Sequence, residues 1–114
     1  DPLSIVGLAG SEFLARAEQH GITVVPEGFA DRAYNVDGTL VPRSRTAAVI
    51  TDPHEISQRV LDMVLRHRVM TISGETIEMN CSSICVHGDT PGAVEIARTV
   101  RVALEREKVT IASI

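Results

Sequence analysis

Short apolar runs alternate with amphipathic segments along the whole chain. The apolar runs are predicted strands, at residues 3–8, 22–25, 84–86 and 109–114. The amphipathic segments are predicted helices, near residues 11–20, 52–67 and 90–104. Strands that are apolar throughout and alternate with helices are typical of a parallel sheet with helices on at least one face. The predicted fold class is therefore α/β, with mostly parallel strands.

Capping residues and apolar stripes support the three helices. Ser11 is a predicted N-cap, and Gly21 ends the same helix. Asp52 caps the second helix, with Pro53 in the first helical position, and Asp89 or Thr90 caps the third, with Pro91 in its first turn. The predicted inward-facing positions are Phe13, Leu14 and Ala17, then Ile56, Val60, Met63, Val64 and His67, then Ala93, Ala97, Val100 and Leu104.

Two hairpins are predicted between these elements. Residues 26–45 show little periodicity, but Asp37-Gly38 is a strong turn signal between residues 34–36 and 39–41. A second pair of short runs, at residues 69–72 and 76–79, flanks Ser73-Gly74-Glu75.

Charged and small residues follow three of the predicted strands directly. The first strand runs into Ala9-Gly10, the second into Glu27, Asp31 and Arg32, and the strand at residues 84–86 into His87-Gly88-Asp89. In parallel sheets, ligands bind beyond the carboxyl ends of the strands, and a helix N-terminus there can hold an anion. We therefore expect these residues to share one rim of the sheet.

Simpler interpretations of the same residues remain open at this point. Asp31 and Arg32 could form an ordinary loop ion pair, Asp89 could be only a helix cap, and His87 could be a structural histidine. The residues alone indicate a rim with the character of an active site and do not identify a reaction.

Composition narrows the class of partner. Aromatic residues make up 3% of the 114 residues, with no Trp, and the net charge is -4 with a pI of about 5.5. Few stacking side chains and an acidic balance argue against nucleic acid, and no apolar run suits a membrane span. The two cysteines, Cys81 and Cys85, are too close in sequence to join distant parts of a fold. We therefore expect a cytoplasmic protein.

Three longer motifs, IVGLAGSEFL, EGFADRAYNVDGTLVPRS and SICVHGDTPGAVEIAR, carry a family resemblance. In this order and spacing the chain resembles the carboxyl-terminal half of the LamB/YcsF family, from Leu3 nearly to Ile114. The resemblance implies the later part of a distorted (β/α) TIM-like barrel of the glycoside hydrolase/deacetylase type. Residues 1–114 would then be a single partial domain that lacks the amino-terminal half of the barrel.

The resemblance also implies an activity. Members of the family open 5-oxoproline to L-glutamate with hydrolysis of ATP, acting with 5-oxoprolinase subunits B and C. The implied cofactors are ATP and, as a further candidate, Mg²⁺. The missing amino-terminal half, or another copy of the chain, is an expected partner, and the fragment alone is expected to be inactive.

Roles for individual residues follow from that chemistry. The predicted catalytic residues are Glu27, Asp31, His87 and Asp89. The predicted substrate- or phosphate-binding residues are Arg32, Tyr34, Arg43, Gly10 and Gly88. No metal ligand is assigned, although Asp31 and Asp89 are candidates for Mg²⁺. In these roles arginines clamp a phosphoryl group, a carboxylate orients water, and His87 transfers a proton to the leaving nitrogen.

Two other functions fit the same residues. One is metal-dependent deacetylation, or another hydrolysis, on a related barrel. The other is a non-catalytic module that binds a small carboxylate ligand or supports assembly.

Overall fold

Three short strands form a parallel sheet, with helices between them in the sequence. The computed structural model describes residues 3–89 and 92–112. Its elements are β1 (Ser4–Leu8), α1 (Glu12–Gln19), β2 (Thr23–Phe29), α2 (Pro53–Arg66), β3 (Arg68–Met70), β4 (Thr76–Glu78), β5 (Ser83–Cys85) and α3 (Ala93–Arg106). The sheet has the order β1-β2-β5, and both pairings are parallel. The predicted α/β class with mostly parallel strands is confirmed.

The two faces of this sheet differ in what covers them. Side chains alternate along a strand, so Gly7 and Gly28 lie on one face, and Glu27 and Phe29 lie on the other. A Cβ built on Gly7 would lie 3.0 Å from Leu14 of α1, and one built on Gly28 would lie 3.2 Å from the Met63 sulfur of α2. The glycine face is therefore the helix-covered face, and the small residues allow close packing there.

Apolar contacts between α2, α3 and the end of β2 form the main core. Its fully buried members include Ala30, Ile56, Val60 and Ile96. Three predicted inward positions are wrong. Phe13 is 61% exposed, Ala97 is exposed, and His67 is an exposed C-cap residue with φ of 53°. The buried stripes follow Leu14–Ala17 and Ile96–Val100–Leu104, about 100° around each helix from Phe13 and Ala97.

The predicted N-caps of the first two helices are confirmed, and the prediction that Asp89 caps the third helix is wrong. The Ser11 side chain accepts a hydrogen bond from the Leu14 N–H, and Asp52 accepts from the N–H groups of His54 and Glu55. The N-cap of α3 is Gly92, which has φ of 76° and makes no side-chain cap. Asp89 is therefore not the cap. Thr90 and Pro91, the other predicted cap and first-turn residue, lie outside the described residues.

Both predicted hairpins are present. Strands β3 and β4 pair antiparallel, and Tyr34 and Leu40 form an antiparallel bridge around the turn that contains Asp37 and Gly38. The last predicted strand is wrong for residues 109–112, which are irregular, and residues 113–114 are not described. The N–H of Val109 donates to the carbonyl of Leu104, so the backbone here closes the end of α3 instead of joining the sheet.

The sheet of the described residues is open. It has three strands, with β1 and β5 at its edges, and a closed TIM-like barrel stays a prediction. Within residues 3–89 and 92–112, every helix is too short or too polar to cross a bilayer.

Candidate functional site

The turn that follows β2 lies next to the end of β5. Strands β2 and β5 pair up to Phe29 and Cys85, and the Ala30 N–H then donates to the Cys85 carbonyl at 3.0 Å. Further along the turn, the Asp31 carbonyl accepts from the Ile50 N–H at 2.9 Å. The backbone around Asp31 is thus held from two directions, and the Asp31 side chain is completely buried.

Asp31 and His87 form a hydrogen-bonded pair across these two strand ends. Asp31 Oδ1 lies 2.8 Å from His87 Nδ1, and Asp31 Oδ2 accepts the His87 backbone N–H at 3.1 Å. Because the main chain and the ring of His87 both bind this carboxylate, the position and the rotation of the ring are fixed together. The sequence expectation that these two residues share one rim is confirmed.

The pair determines which imidazole nitrogen is available to a ligand. If Asp31 is ionised, it can only accept hydrogen bonds, which places the hydrogen of the neutral ring on Nδ1 and leaves Nε2 for a ligand. The Phe29 ring packs on the imidazole, with the two ring centroids 5.1 Å apart and the planes inclined by 40°. The His87 side chain is 21% exposed. Its remaining nitrogen can therefore exchange protons with a bound molecule.

A second charged pair lies beside the first. Arg43 Nη1 is 3.0 Å from Asp89 Oδ2, and both side chains are exposed. The hydrogen bond to Arg43 lowers the pKa of Asp89, and the same bond raises the pKa of Arg43, to which the charge of Asp31 also adds. Arg43 is thus an exposed cation within electrostatic range of the Asp31–His87 pair.

The sequence pattern placed Glu27 beyond the end of the second strand, but in the structure Glu27 lies inside β2. The strand runs four residues further than predicted, to Phe29, and Glu27 pairs in register with Leu8 and Ser83. Burial raises the pKa of the Cys85 thiol, and the charges of Glu27 and Asp31 raise it further. Glu27 and Cys85 therefore belong to the face of the sheet that carries Phe29.

Arg32 and Tyr34 both make hydrogen bonds within the protein. Arg32 Nη2 donates to the Val41 carbonyl at 2.7 Å. Tyr34 is fully buried, and its hydroxyl accepts the Phe29 N–H at 2.9 Å. Burial also raises the pKa of Tyr34. The predicted role of Tyr34 in substrate binding is therefore incompatible with its position, because the residue is part of the core that supports β2.

The two predicted glycines lie where space is open. Gly10 follows β1 with φ of 78°, and Gly88 separates His87 from Asp89. Both are exposed, and a Cβ added to either would have no atom within 4 Å. A ligand could approach the backbone at either position.

Arg59 is a residue of this region that the sequence interpretation missed. It lies on α2 within the inward-facing stripe, between Ile56 and Met63, and donates to the carbonyls of Ala30 and Arg32. An arginine next to the apolar stripe of an amphipathic helix was the available signal, because a half-buried charge requires partners. The helical pattern alone did not show where those partners are.

The described part of the chain does not fit a metal centre built from protein ligands alone. Within residues 3–89 and 92–112, no three His, Cys, Asp or Glu side chains lie close enough together to hold an ion. Asp31 is fully buried against His87, which leaves exposed Asp89 as the better of the two candidate Mg²⁺ ligands.

Two open clefts, each of about 750 Å³, adjoin elements of this site. One runs between α3 and residues 81–86 and 109–112, and the other between α2 and residues 47–52 and 69–72. Neither is lined by Asp31 or His87. The candidate site is therefore identified by its paired ionisable groups.

Comparisons of the chain with protein families and with known proteins support the family resemblance that the three motifs carry. The family model described as the LamB/YcsF family matches residues 1–114. The chain is 53% identical over 114 residues to a 5-oxoprolinase subunit of Mycolicibacterium gilvum, covering 99% of the chain and 45% of that protein. It is also 53% identical over 109 residues to the corresponding 5-oxoprolinase subunit of Pyrococcus furiosus, covering 96% of the chain and 43% of that protein.

A solved structure has the same fold. The crystal structure of a lactam utilization protein from Thermus thermophilus superposes with a TM-score of 0.90 at 38% identity. The match covers 99% of this chain and 44% of that one. The chain therefore spans less than half the length of the relatives it matches.

Proposed function

This chain belongs to the LamB/YcsF family, and from that premise we propose that it forms part of a 5-oxoprolinase that opens 5-oxo-L-proline to L-glutamate with hydrolysis of ATP. The names of the relatives support the substrate class. The observation that carries the proposal is the Asp31–His87 pair at the carboxyl edge of the parallel sheet. This pair supplies an oriented imidazole where such folds bind their substrates.

The reaction needs an activated carbonyl and a proton for nitrogen. A five-membered lactam is a poor electrophile, so transfer of the γ-phosphoryl group of ATP to its carbonyl oxygen would make attack by water feasible. Water then adds to the carbonyl carbon, the ring C–N bond breaks, and the nitrogen takes up a proton, which leaves the opened chain as an acyl phosphate. A second water molecule hydrolyses this acyl phosphate and releases inorganic phosphate. The products are glutamate, ADP and inorganic phosphate, with two water molecules consumed.

His87 is the proposed proton carrier. With Nδ1 bound to Asp31, Nε2 can take a proton from the attacking water and return it to the leaving nitrogen. Asp31 holds the ring in one orientation and stabilises the imidazolium that forms, and it does not need to contact the substrate. This division of roles explains why Asp31 can be fully buried while His87 keeps an exposed edge.

Arg43 is the proposed phosphate-binding residue. Its guanidinium is exposed and is held by Asp89, so a phosphoryl oxygen can bind it while Asp89 keeps it oriented. The backbone of Gly88 lies open beside it. ATP supplies the phosphoryl group, and any accompanying Mg²⁺ would be held mainly by the phosphate oxygens, with Asp89 as an exposed carboxylate beside Arg43. Arg32 and Glu27 keep their predicted roles as secondary candidates.

The remaining parts of the enzyme are proposed to come from outside this chain. The matched relatives are more than twice as long, and their names describe each of them as one subunit of 5-oxoprolinase, which implies an assembly of several different chains. We propose that subunits B and C, and the part of the relatives that this chain does not span, complete the site and close the sheet into a barrel.

The test is formation of glutamate by the complete assembly. Full-length protein that contains this chain is combined with subunits B and C, 5-oxoproline and ATP, and glutamate and phosphate are measured together. One phosphate per glutamate supports the proposal. Turnover that needs a tightly bound metal ion and no ATP would indicate the deacetylase-type reaction. Ligand binding without turnover, with every partner present, would indicate a binding module.

A further inference from the structure

Arg59 places a positive charge at the edge of the buried stripe of α2, where the side chain is half-buried. It lies on α2 one residue before Val60, and Ile56, Val60 and Met63 of the same stripe are fully buried. The Arg59 side chain is half-buried, and this burial lowers the pKa of Arg59. A charge in such a position must be compensated by hydrogen bonds or by opposite charge.

The partners of Arg59 are the two carbonyl groups on either side of Asp31. Its Nη1 donates to the Ala30 carbonyl, and its Nη2 donates to the Arg32 carbonyl at 2.9 Å. The charge of Asp31 also acts on Arg59, in the direction that raises the arginine pKa. One side chain from α2 therefore holds the main chain immediately before and after the carboxylate that orients His87.

We propose that Arg59 is a positioning residue that sets the Asp31 carboxylate, and through it the tautomer and orientation of the His87 ring. Its importance for turnover rests on the proposed function, whereas its effect on the ring does not. The planar guanidinium has two donors at a fixed spacing and can hold both carbonyls at once. A lysine ammonium at the same position keeps the charge but offers no such rigid pair of donors.

The experiment measures the tautomer of His87 in the full-length protein by nitrogen NMR with labelled histidine. The spectra are recorded in the alkaline range where the histidine signals no longer change with pH, so that the ring is neutral. The variant His87→Gln identifies the signal. In the parent protein we expect Nδ1 to carry the hydrogen. In Arg59→Met we expect the Nε2–H form, which free histidine prefers, to become the larger population, and in Arg59→Lys we expect a mixture.

Arg66→Met is the matched control. Arg66 lies on the same helix, but its side chain is exposed and pairs with Asp62 at the surface. We expect its His87 spectrum to equal that of the parent. If Arg59→Met and Arg59→Lys both fold and keep only the Nδ1–H form, the proposal is overturned. If Arg59→Met does not fold, an unchanged spectrum of Arg59→Lys overturns it in the same way.

Turnover gives a second, separate readout. In the assembled enzyme we expect Arg59→Lys to lower kcat by about 10²-fold with KM for 5-oxoproline unchanged, because a ring misplaced by about 1 Å impairs proton transfer more than binding. A parent assembly without 5-oxoprolinase activity would refute the proposed function but leave the tautomer result valid. The His87 tautomer therefore tests the positioning role of Arg59 whether or not the assembly has 5-oxoprolinase activity.

Discussion

Asp31 contacts His87 twice, through its ring nitrogen at 2.8 Å and through its backbone N–H at 3.1 Å, although the two residues are 56 positions apart in the chain. The ring bond alone would allow His87 to move with its loop. The additional main-chain bond ties the loop after β5 to the turn after β2. The Asp31 carboxylate therefore holds the two loops together and also orients the imidazole.

Removal of the His87 imidazole should abolish most of the activity. We expect His87→Gln to lower kcat of the assembled enzyme by about 10²–10⁴-fold, the usual contribution of a positioned general acid or base. The KM for 5-oxoproline should change little, because the role assigned to His87 is proton transfer. The measurement is glutamate formation under saturating ATP.

A matched histidine checks that prediction. His20→Gln removes an exposed histidine at the end of α1, on which no step of the proposal depends, and should keep parent activity. Asp31→Asn should share the defect of His87→Gln, because an amide in its place no longer fixes the Nδ1–H tautomer or stabilises an imidazolium. Near-parent turnover in both His87→Gln and Asp31→Asn would show that the pair is structural.

The backbone layout could be predicted because its signals are local. Ser11 and Asp52 mark helix starts through hydrogen bonds to N–H groups two or three residues away, and the Asp37-Gly38 turn is equally short in range. The Asp31–His87 pair could be anticipated for a related reason. Each residue lies two positions beyond the end of its strand, and parallel neighbours end at the same edge.

The remaining features depend on how segments that are distant in the sequence pack together. The periodic pattern of apolar residues gives no information about that packing. Tyr34 looked like a rim residue, but the hairpin folds it under β2, where it bonds to Phe29. Asp89 had the sequence of a cap, yet it bonds to Arg43, in a loop 46 residues earlier. Arg59 was missed because the turn it holds comes from another element.

The Arg43–Asp89 pair should matter for ATP and not for folding. Both side chains are exposed, so Arg43→Gln should leave the free energy of unfolding unchanged within error. In the assembly the same change should raise KM for ATP, because a phosphate-binding cation is lost. Denaturant titration and ATP-dependent turnover measure the two effects. An unchanged KM for ATP would remove Arg43 from the proposed phosphate site.

The pH dependence of this pair follows from the pKa of Asp89. Arg43 lowers the pKa of Asp89 below its unfolded value, so any stabilisation is present above the unfolded pKa and is lost as the pH falls through the folded pKa. Asp89 orients Arg43 in the ionised form, so the affinity for ATP should also fall in this acid range. We expect Asp89→Asn to remove that pH dependence of the ATP affinity. A profile that is identical with and without the carboxylate would contradict the pairing.

Cys85 should react slowly with alkylating reagents, and Glu27 should be part of the reason. Burial raises the pKa of Cys85, and the charges of Glu27 and Asp31 add to it, so the thiolate fraction at a given pH is lower than for a free cysteine. Glu27→Gln removes one of these charges. The midpoint of the rate of iodoacetamide labelling against pH should therefore shift downward in Glu27→Gln.

Cys81 serves as the internal reference for that measurement. Burial is the main cause of its raised pKa, and no acidic side chain among the described residues contributes to it. Mass spectrometry of the two labelled peptides separates the rates. A parallel shift of both cysteines in Glu27→Gln would indicate a general loosening of the structure and would refute a specific charge effect at Cys85.

Gly28 is the position at which the helix-covered face of the sheet has no room for a side chain. A Cβ built there would lie 2.9 Å from the Cys81 sulfur and 3.2 Å from the Met63 sulfur, so Gly28→Ala requires both neighbours to move. We expect a loss of about 1–3 kcal/mol in the free energy of unfolding, the usual cost of overpacking a core. Chemical denaturation of the full-length protein measures it.

A second substitution tests the assigned cause. Cys81→Ala removes the sulfur nearest to the new methyl group, so the double variant Gly28→Ala/Cys81→Ala should lose less stability than the sum of the two single variants, by about 0.5–3 kcal/mol. Gly88→Ala is the control, because a Cβ there has no atom within 4 Å, and its stability should stay within about 0.5 kcal/mol of the parent. Strict additivity of the two core substitutions would show that the cost of Gly28→Ala does not come from the contact with Cys81.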